Sequence, residues 1–154
     1  MFTIRIGKRC KSFVTLILTV VTLCMLTSCP GLQDWTYDEL PNGYAIAHIN
    51  SQDIELLKED GLKTTKIDRY IKEFCYNDTY IGVKRLMIDE NIPYESVKIE
   101  ELDQSNLSYY LVDTADDNIM GPYTAEEYEA KINELGIQDM CDWIKTVPRP
   151  QGAE

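Results

Sequence analysis

The stretch that decides the fold is LSYYLVDTADDNIMGPYTAEEYEAKINELGI, residues 107–137. Its first seven residues are mostly aromatic and aliphatic, which is typical of a strand. The turn over residues 114–118 is rich in Asp and Asn, so the chain can reverse there and Ile119 and Met120 can pair back onto the first strand. Gly121-Pro122 closes the hairpin, and a helical pattern begins directly after it. We therefore expect a hairpin followed by a helix.

Both ends of this helix carry capping signals. Thr124 and Glu127 have the spacing of a capping box, in which the two side chains satisfy each other's backbone N–H groups. Glu126 and Glu127 also lie at the positive end of the helix dipole. Gly136 suits the left-handed residue that closes the last turn. The stripe predicted to be buried consists of Ala125, Tyr128, Ile132 and Leu135.

Further strands are predicted upstream, from Tyr44 to Ile49 and from Ile54 to Lys58. The segment Ile67 to Phe74 is ambiguous, because its apolar residues recur at the helical spacing i, i+3, i+4, i+7. We favour strands there, since aromatic and β-branched residues flank the turn-forming pair Asn77-Asp78. The predicted fold class is α+β: a small antiparallel β-sheet with one well-capped C-terminal helix, preceded by a cleaved signal helix.

The N-terminal residues predict an export signal. Four basic residues precede an uncharged, mostly apolar run from Phe13 to Leu26. The run has the length of the apolar region of a signal peptide and is short for a membrane span of ~20 residues. The run ends in Leu26-Thr27-Ser28-Cys29, which resembles the bacterial lipobox. The resemblance implies a diacylglyceryl group on the Cys29 thiol and cleavage that leaves Cys29 as the first residue. The alternatives are an ordinary signal cleaved nearby, with Cys29 a free or disulfide-bonded thiol, and an uncleaved N-terminal helix.

These signals divide the chain into a signal peptide (1–28), a tether (29–42), a single α+β domain (43–145) and a disordered tail (146–154). Four of the 15 Lys and Arg residues lie before Cys29 and all 26 Asp and Glu residues follow it, so the mature chain has a net charge of about −15. Such a chain lacks the cationic surface that nucleic-acid binding requires. Because the tether is acidic, anionic membrane lipids do not attract it electrostatically. The lipid group attached to Cys29 must therefore hold the protein at the membrane by itself.

Few residues offer catalytic chemistry. The single histidine, His48, shares a strand face with Tyr44 and Ile46, which favours a partly buried, hydrogen-bonded role. Motifs for nucleotide binding and for serine nucleophiles are absent from the sequence. We predict no catalytic residue and no cofactor.

Two cysteines follow Cys29. If Cys29 carries lipid, Cys75 and Cys141 are the remaining pair that can form a disulfide. Export to an oxidising space permits that bond without requiring it. Two buried thiols are the alternative.

The acidic turn is a candidate calcium site, because several oxygen ligands lie close together in the sequence. Its spacing does not match the EF-hand loop, and Asp and Asn are common in hairpin turns for conformational reasons. We therefore predict no metal site, and keep this turn as a weak candidate. Its residues are Asp113, Asp116, Asp117 and Asn118.

A family resemblance covers about Leu40 to Ile137. It rests on Leu40-Pro41-Asn42-Gly43-Tyr44, on Tyr76-Asn77-Asp78, and on Tyr109 to Asp113 followed by Gly121-Pro122 and an acidic helix. This order resembles a family of small bacterial lipoproteins, mostly from Gram-positive bacteria, that is classed as a domain of unknown function. The resemblance implies a β-rich fold and brings no catalytic residues.

We predict a membrane-anchored extracytoplasmic lipoprotein that acts as a non-enzymatic interaction module, with a protein or a small ligand as its partner. One alternative is an envelope enzyme that uses carboxylates as acid and base. Another is an immunity or inhibitor lipoprotein. Two converging carboxylates, one with a raised pKa, would favour the enzyme.

Overall fold

The computed structural model describes residues 34–50, 53–59, 63–89, 91–93, 97, 99–140 and 142–154. These residues form nine strands, one α-helix and two 3₁₀ turns, at Pro41–Gly43 and Ile99–Glu101. The helix, α1, is Ala125–Leu135. The strands are β1 Trp35–Tyr37, β2 Tyr44–His48, β3 Ile54–Glu59, β4 Lys63–Ile67, β5 Ile71–Tyr76, β6 Tyr80–Leu86, β7 Leu107–Asp113, β8 Asn118–Tyr123 and β9 Ile144–Lys145.

The strands form two antiparallel sheets in the described part of the chain, where the sequence predicted one small sheet. Sheet A has the order β1-β2-β3-β4, and sheet B has the order β8-β7-β6-β5-β9. The α+β class is consistent with this arrangement, but the fold is mostly β. The number of sheets was mispredicted because strand patterns show where strands lie and not which of them pair.

The main core lies between the two sheets. Sheet A contributes Ile46 and Leu56, and sheet B contributes Phe74, Ile81 and Val83, all with no exposed surface. Burying one such side chain contributes roughly 1.5–3 kcal/mol, so this layer is the largest source of stability.

A second core lies on the other face of sheet B, beneath α1. Cys75 and Leu111 from the sheet contact Tyr128 and Ile132 from the helix. Because strand side chains alternate between faces, neighbours such as Phe74 and Cys75 enter different cores. Sheet B is therefore covered on both faces.

The predicted helix caps are confirmed. The Thr124 hydroxyl accepts a hydrogen bond from the Glu127 amide at 3.2 Å, and the Glu127 carboxylate accepts one from the Thr124 amide at 2.8 Å. Gly136 has φ 70°, and the Ile137 amide donates to the Ile132 carbonyl at 3.1 Å. The predicted buried stripe is partly wrong, because Ala125 is exposed.

The ambiguous segment around Ile67 to Phe74 is confirmed as strands. β4 ends at Ile67 and β5 begins at Ile71, so the segment crosses from sheet A to sheet B. β5 and β6 then pair as an antiparallel hairpin around Asn77-Asp78. The apparent helical stripe arose because residues of two strands face apolar surroundings.

Two boundaries differ from those predicted. The predicted tether contains β1 and buries Trp35, Tyr37 and Leu40 in the main core. The predicted disordered tail lies along β1, where Thr36 and Glu154 exchange both backbone hydrogen bonds at 2.8 Å. Short segments with few apolar residues carry too weak a pattern to reveal that they cover a sheet edge.

The region after α1 returns the chain to sheet B through β9. Met140 is buried, whereas Trp143 and Ile144 are half-buried, and Ile144 lies in β9. Trp143 lies beneath the Lys84 ammonium, which is 3.9 Å from the ring centroid and 2.6 Å from the Glu73 carboxylate. A cation–π contact of this kind covers the edge of the second core.

The domain has two distinct ends. We call one the Trp35 end: it holds the start of β1, the β2–β3 turn, the β4–β5 link and the end of β6. The opposite end, the Tyr44 end, holds the start of β2 and the β5–β6 and β7–β8 turns. The hydroxyls of Tyr37 and Tyr76 lie 2.7 Å apart between the sheets, on the side toward the Tyr44 end.

Several predictions concern residues outside the described ranges, namely the signal peptide 1–28, the lipidated Cys29 and the cysteine Cys141. They stay predictions. Within the described ranges, none of the helices combines the length and apolarity needed to cross a membrane.

Gly82 in β6 sets how closely α1 approaches sheet B. A Cβ atom at this position would lie 2.9 Å from both Cys75 Sγ and Met140 Cε, and closer still to the Tyr128 hydroxyl. We therefore expect Gly82→Ala to lower the free energy of unfolding by about 1–3 kcal/mol through overpacking. Urea unfolding would measure this change.

The matched test is the double variant Gly82→Ala, Tyr128→Phe. Removing the hydroxyl opens the space that the new methyl group needs, so the double variant should recover part of the lost stability. A Gly82→Ala protein as stable as the wild type would contradict this account of the helix packing.

Candidate functional site

The β4–β5 link has an unusual backbone. Arg69 and Tyr70 are consecutive non-glycine residues with φ values of 46° and 63°, in the left-handed region. Such conformations cost of order 1–3 kcal/mol each and persist only where surrounding contacts hold them. Clusters of such residues occur often at binding sites, so the link is a candidate site.

Arg85, from the end of β6, holds this link in place. Its Nε donates hydrogen bonds to the carbonyls of Asp68 (2.8 Å) and Arg69 (3.1 Å), and its Nη2 lies 3.1 Å from the Asp68 carboxylate. The planar guanidinium suits several acceptors in one plane. A single side chain of sheet B therefore fixes the crossing from sheet A.

Tyr70 anchors the link from below. It is buried in a third apolar cluster with Leu86 and Val97, and its carbonyl accepts a hydrogen bond from the Leu86 amide at 3.1 Å. Burial raises the pKa of the Tyr70 phenol. The phenol therefore stays neutral at physiological pH, so the ring acts as a packing group.

An open cleft of about 580 Å³ lies beside the link at the Trp35 end. Its charged lining consists of two arginines and two aspartates: Arg69, Arg85, Asp68 and Asp89. Its apolar lining comes mainly from the β6–β7 connection: Ile88, Ile92, Pro93 and Val97. Such a cleft can bind a group that is partly polar and partly apolar.

One carboxyl group of the cleft, Asp89, has a clearly shifted pKa. The Asn91 backbone amide and side chain donate to the Asp89 carboxylate and hold its pKa below the ordinary range. The other described carboxyl groups with a clearly shifted pKa, Asp103, Asp117 and Glu127, are also shifted downward. A general acid at neutral pH needs an upward shift, so the described carboxyl groups with shifted pKa values do not suit that role.

The Asp117 carboxylate, predicted as a weak calcium ligand, is surrounded by cationic groups. Lys66 Nζ lies 2.8 Å away and Lys58 Nζ 3.2 Å away, and the Tyr44 hydroxyl donates a further hydrogen bond. These partners hold the pKa of Asp117 well below its ordinary range, with Lys66 contributing most. Asp117 thereby ties the β7–β8 turn of sheet B to β2, β3 and β4 of sheet A.

The other calcium candidates do not converge with Asp117. Asp113 Oδ1 accepts backbone hydrogen bonds from Ala115 and Asp116 inside its own turn, at 3.1 and 3.4 Å. Across the described ranges, Asp, Glu, His and Cys side chains form no group of three that suits a metal ion. The acidic turn is explained by its conformation and by the ion pairs of Asp117.

A neighbouring residue, Thr114, reinforces this junction. Its hydroxyl donates to the Thr79 carbonyl at 2.7 Å and accepts a hydrogen bond from Asn42 at 2.8 Å. Thr114 is only 2% exposed, and buried polar groups of this kind need such partners. The Tyr44 end is thus fixed by polar contacts between the sheets.

The remaining predicted residues lie apart from the cleft lining. His48 is half-buried at the Trp35 end and stacks on Trp35, with ring centroids 5.4 Å apart. Cys75 is buried in the second core beneath α1. The predicted Cys75–Cys141 disulfide involves a residue outside the described ranges and stays a prediction.

The sequence did not reveal the cleft residues. The link Asp68-Arg69-Tyr70 contains no Gly, Asn or Pro, so nothing marks it as left-handed backbone. Arg85 lies 16 residues from Arg69 along the chain, and its role depends on the β5–β6 pairing. The sequence feature that could have indicated the cleft is weak. It is a short charged segment that separates two predicted strands.

The fold and the cleft define a class of small two-sheet domain with one packed helix and an open, mixed polar and apolar cleft. Within that class the chain belongs to a family of proteins of unknown function, DUF3997, whose model matches residues 41–145. The match runs from the turn before β2 to β9 and includes the cleft. Comparisons with curated proteins and with solved structures returned no match.

We expect Asp117→Asn to lower the melting temperature at pH 7, because the amide cannot pair with Lys58 and Lys66. The folded-state pKa of Asp117 is lowered, so its contribution is fully present above the unfolded value of about 3.9 and is lost as pH falls below it. The difference between wild type and variant should therefore shrink below about pH 4. Thermal unfolding from pH 7 to pH 3 would measure it.

Tyr44→Phe is the control for this prediction. It removes one hydrogen bond to Asp117 but leaves both ammonium groups in place, so most of the acid-dependent loss should remain. A gap between wild type and Asp117→Asn that does not change with pH would show that the carboxylate charge has no role.

Proposed function

We propose that the protein is a lipid-anchored extracytoplasmic binding module that takes up a protein segment or a small ligand in the cleft at the Trp35 end. The observation that carries this proposal is the left-handed Arg69-Tyr70 link, which hydrogen bonds from Arg85 hold in place beside the cleft. Maintaining strained backbone at a surface is unfavourable unless the surface has a use.

The cleft lining supports a partner that carries both polar and apolar groups. The lining combines charges of both signs with aliphatic side chains. A short peptide or an amphiphilic small molecule fits this chemistry. The two arginines and two aspartates of the lining balance in charge, which favours a neutral or zwitterionic group over a strongly charged one.

The direction of the pKa shifts argues against a carboxyl general acid, which the enzymatic alternative requires. Among the carboxyl groups that line the cleft, Asp89 has a clearly shifted pKa, which lies below the ordinary value for an aspartate. The carboxylates with shifted pKa values therefore accept hydrogen bonds at neutral pH and do not supply protons.

The lipid anchor is supported by the order of residues in Leu26-Thr27-Ser28-Cys29. Intact-mass spectrometry of the protein purified from native membranes should show a chain that begins at Cys29 and carries a diacylglyceryl group. Cys29→Ala should keep the leader and lose the lipid mass. An unmodified Cys29 in the native protein would refute the anchor.

Binding at the cleft is tested by capture from native membranes. Ile92 is 43% exposed, so Ile92→Arg should fold normally while placing a charge on the apolar wall. We expect a partner that copurifies with the wild type to be lost from this variant, because burying an unpaired charge is unfavourable.

The matched control is Ala115→Arg, which adds the same charge on an exposed turn at the Tyr44 end. It should retain the partner. Equal recovery with both variants would contradict a role for the cleft and would leave the result for Cys29 unaffected.

A further inference from the structure

The large hydrophobic side chains that are exposed in the described part of the chain lie at one end of the domain. Among the described residues, four large hydrophobic side chains are exposed: Ile49, Met87, Ile92 and Val147, at 47%, 52%, 43% and 66%. Single exposed hydrophobic residues are normal on soluble proteins. Four such residues at the same end of the domain require an explanation.

Strand direction places each of them at the Trp35 end. Ile49 follows the end of β2, and its amide donates a hydrogen bond to the Asp53 carbonyl in the β2–β3 turn. Met87 follows the end of β6. Ile92 lines the cleft there. Val147 follows Thr146, whose hydroxyl bonds the Ile71 carbonyl at the start of β5.

The opposite end has a different surface. The Tyr44 end carries the charged group of Lys58, Lys66 and Asp117 together with polar turns. The exposed hydrophobic side chains named above are not at that end. The large exposed hydrophobic side chains named above are therefore concentrated at the end where β1 begins.

The predicted anchor attaches at the same end. This step depends on the proposed function, because it requires lipid on Cys29. Six residue steps separate Cys29 from Trp35, the first residue of β1, and a fully extended chain spans at most about 20 Å over that length. The limit holds for every conformation of the connecting residues.

A connection of that length restricts which surface can reach the membrane. The seven residues of β6 are themselves about 23 Å long as a strand. Bringing the Tyr44 end to the bilayer would require the connecting residues to extend along the full height of the domain. The Trp35 end reaches the bilayer without such extension.

We propose that the Trp35 end lies against the bilayer surface, with Ile49, Met87 and Val147 at the lipid interface and Ile92 in the cleft that opens there. The occupant of this apolar surface is the membrane itself. The cleft then opens at the bilayer surface and receives its partner there. Asp34, Asp53, Asp68 and Asp89 accompany Arg69 and Arg85 at this end, so the contact depends on apolar side chains and not on anionic lipid.

The test uses the lipidated full-length protein in phosphatidylcholine vesicles whose acyl chains carry bromine, which quenches tryptophan. Ile49→Trp and Met87→Trp place a probe at the Trp35 end, outside the cleft lining. Ala115→Trp is the matched control at the Tyr44 end. Emission is compared with that of the parent protein, which contributes Trp35 and Trp143.

We expect the added emission of Ile49→Trp and Met87→Trp to be lost in brominated vesicles and that of Ala115→Trp to persist. Replacing part of the phosphatidylcholine with an anionic lipid should not increase the quenching. Two outcomes would overturn this inference and leave the proposed anchor intact. One is equal quenching at positions 49, 87 and 115. The other is no quenching at 49 and 87 in a protein whose Cys29 lipid has been verified by mass spectrometry. An unmodified Cys29 would overturn the proposed anchor and this inference together.

Hydrogen exchange tests the same orientation without any substitution. Amides near residues 49 and 87 should exchange more slowly on vesicles than after detergent extraction, whereas those at 77–79 and 114–117 should not change. Equal protection at the two ends would contradict the proposed orientation.

Discussion

Burial of sheet B on both faces is the constraint on which the rest of the structure depends. Sheet A covers one face and α1 covers the other, so neighbours such as Phe74 and Cys75 of β5 are both buried, each in a different core. The packing between α1 and sheet B is close at Gly82, because the Tyr128 side chain of the helix occupies the space that a Cβ atom at this position would need. Close packing of this kind leaves little freedom in how α1 is placed.

The two ends of the domain are held together by different forces. At the Tyr44 end, the Asp117 carboxylate and the Thr114 hydroxyl connect the sheets through ion pairs and hydrogen bonds. At the Trp35 end, Arg85 and the buried Tyr70 fix the crossing between the sheets. The first junction is compact and charged, whereas the second leaves a cleft open.

This difference bears on function. The cleft beside the left-handed link presents both aliphatic side chains and balanced charges, which are the features on which the proposed binding role rests. A lipid on Cys29 would attach the chain a short distance from that cleft. Binding would then take place near the bilayer, where an anchored protein meets membrane-bound partners at high effective concentration.

The sequence by itself determined the local elements of this protein. The capping box of Thr124 and Glu127, the hairpin around Asn77-Asp78 and the strand from Leu107 to Asp113 follow from interactions between residues close along the chain. It also determined the family resemblance and the prediction of an anchor at Cys29. These features need no knowledge of which strands meet.

Only the tertiary structure decided the rest. It separated the strands into two sheets, placed β1 and Glu154 on a sheet edge, gave Asp117 two lysine partners and assembled the cleft from Arg69 and Arg85. The physical reason is that these contacts join residues far apart in sequence. Their free energy depends on the packing of the whole core, which local propensities do not contain.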